Sequence, residues 1–195
     1  DDGNYFDGKD LWTTARNPGE KTSELIFVDV ASLTVSDRLA LGSNPANVYL
    51  GGGESRKGIV YVGLQGNMDQ EGEIVAVNAK TRKIVDRIPL DGGQIACDVD
   101  IAIGPDGVER VYTPNQKMDS VQNFAAGSHT LLNTVAQPTG SMPFMLTTSP
   151  DDRHIWVQDG SAGTNSVLDS VTLATVTRIP TGEGPVVASF SPDGK

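Results

Sequence analysis

Ser191-Pro192-Asp193-Gly194-Lys195 is a turn sequence that recurs along this chain in altered form, and the recurrence decides the fold. Each upstream copy precedes an apolar or aromatic segment of the kind that forms β-strands. Self-similarity at a nearly fixed period is typical of repeat proteins, so the repeat predicts the architecture. The upstream copies are Gly51-Gly52-Gly53-Glu54, Gly104-Pro105-Asp106-Gly107 and Ser149-Pro150-Asp151-Asp152-Arg153.

Three further marks recur in the same register. One is Gly-x-x-Pro, beginning at residues 42, 140 and 182, and another is Asp or Asn followed nine residues later by Arg, beginning at residues 29, 78 and 169. The third is an aromatic residue after the turn, at Trp12, Tyr61, Tyr112 and Trp156. The marks together predict one domain over 1–195 with four repeats, at about 7–58, 59–109, 110–153 and 154–195.

The pattern inside one repeat is strand, turn, strand. Segments 24–30 and 73–78 are rich in β-branched and aromatic residues, and short polar connections follow them. No window shows uninterrupted helical spacing of apolar residues, so we expect helix in less than about a tenth of the chain. Each period supplies about four short strands, which predicts an all-β fold, a β-propeller of four-stranded antiparallel blades. Strands are expected at 25–29, 59–62, 74–78 and 186–190.

Composition narrows the class of partner. The formal net charge is -10, and no cluster of Lys and Arg is present to neutralise phosphates, which argues against a nucleic-acid partner. No apolar run approaches the roughly 18 residues of a membrane helix, so no transmembrane segment is expected. The single cysteine, Cys97, excludes an internal disulfide. The composition therefore leaves a protein or a small ligand as the expected binding partner.

The repeats resemble the YVTN-type β-propeller family. The resemblance rests on Ile59-Val60-Tyr61-Val62 and, in the fourth repeat, on Ser166-Val167-Leu168-Asp169, Gly184-Pro185 and the final turn at 191–195. It implies an exported protein, periplasmic or extracellular. It also implies a ring of six to eight blades, of which this chain is a part. The alternative is a four-bladed ring closed by pairing of 185–190 with the Trp12 strand.

The resemblance also places the innermost strand of each blade. These strands fall at 45–50, 98–103, 143–148 and 185–190, so the chain enters at a second strand and leaves on a first strand. Asp98 and Asp100 then line the central channel, and as residues two apart on a strand they share one face. Two such carboxylates with backbone carbonyls are able to hold Ca²⁺, while the simpler interpretation is a channel lined by hydrated acids. No other cofactor is predicted.

A second candidate site is the rim formed by the loops that precede the third strands. These loops, at 16–23, 65–72, 116–120 and 158–165, are polar and occupy one place in the repeat, so they emerge on one side of the ring. Loops on a rigid scaffold are where binding residues concentrate. Asp69, Glu71 and Asp159 are the acidic candidates, and the alternative is that the loops are plain connections.

Other conspicuous residues have structural interpretations. The four repeated aromatic residues, including Trp156, are expected to be buried between blades. His129 and His154 are expected to be solvated turn residues, because their spacing does not fit a metal site.

The leading hypothesis is a non-catalytic binding or scaffold module with no catalytic residues of its own. The alternatives are the propeller portion of a periplasmic oxidoreductase, with its cofactor site outside this segment, and a lactonase-like hydrolase.

Overall fold

A computed structural model describes residues 4–17, 22–42, 48–66, 71–90 and 98–191, and within these ranges it contains strands and no helix. No helix that would cross a membrane is therefore found among them. The all-β prediction is confirmed. The strands are β1 (Tyr5–Phe6), β2 (Asp10–Asn17), β3 (Thr22–Asp29), β4 (Thr34–Gly42), β5 (Val48–Glu54), β6 (Ile59–Leu64), β7 (Glu73–Asn78), β8 (Lys83–Pro89), β9 (Asp100–Ile103), β10 (Glu109–Asn115), β11 (Ser120–Ala125), β12 (Leu131–Ala136), β13 (Pro143–Thr148), β14 (His154–Asp159), β15 (Thr164–Asp169) and β16 (Thr175–Pro180).

The strands form four antiparallel sheets of four consecutive strands, here named blades 1 to 4 in chain order. The first strands of successive blades lie beside one another, β1 by β5, β5 by β9 and β9 by β13. The fourth strands lie on the outside. This is the arrangement of consecutive propeller blades. The described residues form an open arc, in which buried clusters join blade 1 to 2, 2 to 3, and 3 to 4.

Strand alternation explains why the inner blades are apolar on both faces. On β6, Val60 and Val62 point to blade 1 and join Trp12 and Phe27 in one buried cluster. Tyr61 points the other way, into the cluster shared with blade 3. Successive side chains of a strand face opposite sides of its sheet, so both sets are buried in a blade that lies between two others. The strands of such a blade are therefore apolar at consecutive positions.

The repeated Asp/Asn-to-Arg mark has a physical cause at the outer hairpin. Asn78 Oδ1 accepts a hydrogen bond from the N–H of Thr81 at 2.8 Å and so fixes the turn between β7 and β8. Nine residues on, Arg87 pairs with Glu73 on the neighbouring strand at 2.5 Å. Arg38 pairs with Glu24 in the same way in blade 1. Charges on an outer strand discourage edge-to-edge pairing with other sheets.

Three expectations about the ends of the arc were wrong. The short strand β1 supplies a first strand to blade 1, so the described chain does not enter at a second strand. The segment 186–190 is not a strand. A first strand pairs with the second strand that follows it, as β5 pairs with β6, and no such strand follows 186–190 in the described residues. Trp156 is half-buried rather than buried. The described residues contain no further blade that packs on the face of blade 4 where Trp156 lies.

Candidate functional site

The first strands meet at a cavity of about 300 Å³ at the centre of the arc. It is the place where blades 2, 3 and 4 approach the central axis. Both carboxylates that the sequence placed in the channel contribute to its wall. The lining residues are Gly53, Asp98, Val99, Asp100, Ile101, Met145, Leu146, Thr147, Thr148 and Val187.

Asp98 joins blade 3 to blade 4 at this cavity. Its Oδ2 accepts a hydrogen bond from the N–H of Leu146 on β13 at 3.0 Å. Its Oδ1 accepts one from the N–H of Val99 at 2.8 Å, and its backbone carbonyl accepts one from the Thr113 hydroxyl at 2.7 Å. The residue is thus held on three sides.

Asp100 repeats the contact two residues along the strand. Its Oδ2 accepts hydrogen bonds from both the N–H and the hydroxyl of Thr148, each at 2.9 Å, and its Oδ1 accepts one from the N–H of Ile101 at 2.7 Å. Burial raises the pKa of the Asp100 carboxyl, against the lowering effect of these three bonds. Asp98 and Asp100 therefore share one side of the chain, as their spacing predicted.

Blades 3 and 4 are separate sheets, so their strands are not joined by the backbone hydrogen bonds of a sheet. The two carboxylates supply side-chain contacts at this boundary. Each reaches an N–H of β13, so the pair ties the inner edges of blades 3 and 4 together and fixes the cavity wall. The described residues hold no group of three or more His, Cys, Asp and Glu that would bind a metal ion. Calcium at this pair would need backbone or ligand oxygens in addition, and it stays a prediction.

The rest of the cavity wall is mixed in polarity. Met145, Leu146 and Val187 give it apolar surface, and no basic residue lines it in the part of the chain that the structure describes. Thr147 donates its hydroxyl to the carbonyl of Ala188 at 3.0 Å, which holds the segment 185–190 beside β13. The Gly53 backbone packs closely on the Ile101 side chain, since a Cβ added to Gly53 would lie 3.2 Å from Ile101 Cγ2.

Asp159 is not the exposed rim acid that the sequence predicted. It is the last residue of β14 and is fully buried. Its Oδ2 accepts hydrogen bonds from Ser166 at 2.5 Å and Thr164 at 3.2 Å, whereas no partner for Oδ1 is found in the described structure. Burial raises its pKa. The strands β14 and β15 extend into the expected 158–165 loop, which is why this carboxylate faces inward.

Of the other two acidic rim candidates, the structure describes one. Glu71 is exposed on the connection between β6 and β7, as expected for a rim acid. Asp69 lies outside the described residues. The connection between β10 and β11 is only the four residues 116–119, so that part of the rim is a tight turn rather than a long loop.

His129 was expected to be solvated, and this was wrong. The residue lies in the turn between β11 and β12, but its side chain is only 12% exposed. Its ring meets the Tyr61 ring edge-on at 5.8 Å, and Nδ1 lies 2.5 Å from Asp86 Oδ2. Both partners belong to blade 2, so His129 is a contact between blades. Its turn position was visible in the sequence, but its neighbours on blade 2 were not.

Comparison with known proteins supports the fold alone. No family model matches the chain, and no curated protein matches it. Hydrazine synthase of Kuenenia stuttgartiensis is similar in structure, with a TM-score of 0.74 at 18% identity, over 99% of this chain and 53% of that one. A protein of unknown function from Bacteroides caccae gives a TM-score of 0.60 at 16% identity, over 91% of this chain and 59% of that one. The chain thus spans little more than half the length of either structure.

Proposed function

We propose that this chain is a non-catalytic binding module that holds a small ligand bearing a cationic amine in the central cavity. The observation that carries the proposal is the cavity itself, about 300 Å³ in volume and lined by Asp100, the first residue of β9, and by Asp98 just before that strand. Ligand pockets begin at about this size and combine apolar surface with a few fixed polar groups. The apolar side chains of the wall would contact the hydrocarbon part of the ligand.

The expected preference for a cationic ligand follows from the hydrogen-bonding capacity that the Asp100 carboxylate retains. Oδ1 of Asp100 accepts a hydrogen bond from the Ile101 N–H, and a carboxylate oxygen accepts up to two. A donor on the ligand would occupy the second position. Among the described residues that line the cavity, no basic side chain competes for it, and the net charge of -10 favours the approach of a cation. An anionic ligand would be repelled by the two carboxylates.

The test compares alkylammonium compounds with alkyl carboxylates of the same length by isothermal titration calorimetry. We expect the amines alone to bind, and Asp100→Asn to weaken their binding at least about tenfold, the size of one lost charge-assisted hydrogen bond. Glu71→Gln is the matched control, because it removes one exposed acid from the rim and leaves the cavity intact. Equal binding of both compound series, or binding that Asp100→Asn does not change, would refute the proposal.

The pH dependence supplies an independent check. Burial raises the pKa of Asp100, so the ionised form that binds a cation is lost at a higher pH than for a free aspartate. Amine binding should be strongest above that raised pKa and should weaken as the pH falls through it. A periplasmic or extracellular location stays a prediction of the family resemblance.

A further inference from the structure

The interface between blades 3 and 4 becomes polar where it reaches the rim. Its middle is filled by the apolar cluster that joins the two blades. Asp159 follows Val157 of that cluster by two residues on β14, so it also faces blade 3. Gln137 follows Val135, which packs on the same cluster from blade 3, by two residues. A carboxylate and an amide therefore both point into the rim end of this interface.

The same two places hold leucine at the interface between blades 1 and 2. Strand pairing aligns Asp159 with Leu64 of β6, and Gln137 with Leu41 of β4. Both leucines are buried in the apolar cluster that joins blades 1 and 2. Buried polar groups cost stability where the repeat elsewhere buries leucine, so the exchange indicates a functional site.

The carboxylate at this place is fully buried and incompletely bonded. Asp159 accepts hydrogen bonds only from the hydroxyls of Ser166 at 2.5 Å and Thr164 at 3.2 Å, both through Oδ2, and no partner of Oδ1 is found in the described structure. Burial raises its pKa against the lowering effect of these two bonds and of the positive charge of Arg178. The Arg178 side chain is exposed, and within the described ranges no basic residue forms a salt bridge with Asp159.

Two neighbouring side chains are also buried without hydrogen-bond partners. Among the described residues, none bonds to Oε1 or Nε2 of Gln137 or to the hydroxyl of Ser141. The two side chains are 5% and 1% exposed. Ser141 lies beside the end of β14, because its carbonyl accepts the N–H of Ser161 at 2.9 Å. The unbonded oxygens of this site thus come from a carboxylate, an amide and a hydroxyl.

A second carboxylate, Asp119, shapes the connection that carries Ser141. Its Oδ2 accepts the N–H of Gly140 at 2.6 Å and its Oδ1 accepts the N–H of Met142 at 2.9 Å, one on each side of Ser141. Burial is the main cause of the raised pKa of Asp159, and the negative charge of Asp119 adds to it. The two carboxylates therefore stand close enough to repel each other, which favours a positive charge between them.

We propose that Ca²⁺ binds between blades 3 and 4 at the rim, held by oxygens of Asp159, Gln137 and Ser141. Calcium takes about six to eight oxygen ligands, including carboxylates, amide carbonyls and water, whereas Mg²⁺ retains more of its water. Asp119 supplies the second negative charge and fixes the shape of the connection. The set has only two carboxylates, consistent with the finding that no group of three or more His, Cys, Asp and Glu occurs in the described ranges.

The proposed ion would join the two blades, because Gln137 belongs to blade 3 and Asp159 to blade 4. A ligand that binds only the folded protein stabilises it, so calcium should raise the melting temperature. Segment 138–140 is exposed and gives the ion a route from solvent. The site is separate from the Asp98 and Asp100 pair, and the proposal is independent of the cavity ligand.

The first test titrates the chelator-treated protein with CaCl₂ by isothermal titration calorimetry. We expect one equivalent to bind, and Asp159→Asn, which keeps the shape of the side chain, to weaken binding at least about tenfold. Glu71→Gln is the matched control, because it removes one exposed acid from the same rim. No binding at concentrations up to about 1 mM, the weak end of calcium sites in proteins, would overturn the proposal and would mean that water satisfies these groups.

Two further outcomes of this titration would also overturn it. An equal loss of affinity in Glu71→Gln and Asp159→Asn would mean that calcium responds only to the general negative charge. Loss of binding in Asp100→Asn, with binding retained in Asp159→Asn, would assign the ion to the central channel instead.

The second test restores the apolar arrangement of blades 1 and 2. Gln137→Leu combined with Asp159→Leu should abolish calcium binding. Without calcium, its melting temperature should be no lower than that of the unmodified chain, because replacing buried polar groups by apolar ones is often neutral or stabilising. Calcium binding by this variant as tight as that of the unmodified chain would overturn the proposal.

Hydrogen exchange locates the ion without any substitution. Calcium should slow the exchange of backbone N–H groups at 137–142 and 159–161 at least about tenfold, and should leave β2 and β3 of blade 1 unchanged. Equal slowing in blades 1 and 4, or slowing confined to residues 98–103, would contradict a site between blades 3 and 4.

Discussion

Tyr112 and Trp156 occupy the same position in consecutive blades, yet Tyr112 is fully buried and Trp156 is only half-buried. Both stand on second strands and follow the same kind of turn. Tyr112 differs in having blade 4 on its face, with Leu173 in its cluster and the backbone carbonyl of Ser170 accepting a hydrogen bond from its hydroxyl. A repeat thus determines which way a side chain points, whereas its burial depends on the presence of the next blade.

The comparison predicts unequal effects from the same truncation. Tyr112→Ala should lower the free energy of unfolding by about 3–5 kcal/mol, the range for large aromatic residues in cores. Trp156→Ala should lower it by about 1–2 kcal/mol, as for a partly buried site. Urea unfolding of the two variants and of the unmodified chain measures both losses. Equal losses would mean that Trp156 is as well packed as Tyr112.

The turns between the third and fourth strands permit the same comparison, because Leu33 in blade 1 and Arg82 in blade 2 occupy the same position with φ of 56° and 54°. Arg82 pairs with Asp10 at 2.6 Å, and the Asp10 side chain is fully buried. Arg82→Ala should therefore lower the free energy of unfolding by about 2–3 kcal/mol, because it removes the closer of the two cations paired with a buried carboxylate and leaves only Lys9, at 3.7 Å. Leu33→Ala at the equivalent turn is the control and should change it by less than about 0.5 kcal/mol. A larger effect at Leu33 than at Arg82 would contradict the account.

Acid should loosen the contact between blades 1 and 2 before that between blades 3 and 4. Burial alone would raise the pKa of Asp7, but hydrogen bonds from Asp10, Trp12, Lys9 and Arg82 lower it to about 2. A lowered pKa adds stability above the unfolded-state value, and that stability is lost as the pH falls through the folded value. The affected window is about pH 4 to 2.

Asp159 in blade 4 responds in the opposite sense. Burial raises the pKa of Asp159, so its protonation on acidification favours the folded state, although hydrogen bonds from Thr172 and Val171 lower the pKa of Asp169 in the same blade. Hydrogen-exchange protection factors should therefore fall further between pH 7 and pH 3 in β2 and β3 than in β14 and β15. A uniform fall across the four strands would contradict this assignment.

The sequence predicted the features that depend on local pattern. Strand positions follow from the alternation of side chains, and Asn78 shows why a polar residue recurs at the outer hairpin. The spacing of Asp98 and Asp100 was enough to place them together on one side of the chain.

The remaining features depend on how one blade is offset from the next. The partners of Asp98 and Asp100 are N–H groups of β13, and no local pattern specifies that register. His129 was misjudged because its contacts come from Tyr61 and Asp86, more than forty residues away in the chain. Segment 186–190 has the sequence of a strand but lacks a neighbouring strand in the described residues.

The most direct test of the account uses the fluorescence of its two tryptophans. Trp12→Phe leaves Trp156 as the sole tryptophan, and Trp156→Phe leaves Trp12. In dilute solution, acrylamide should quench Trp156 several-fold more strongly than Trp12, which is fully buried beneath Arg82. Equal quenching of the two tryptophans would contradict the account.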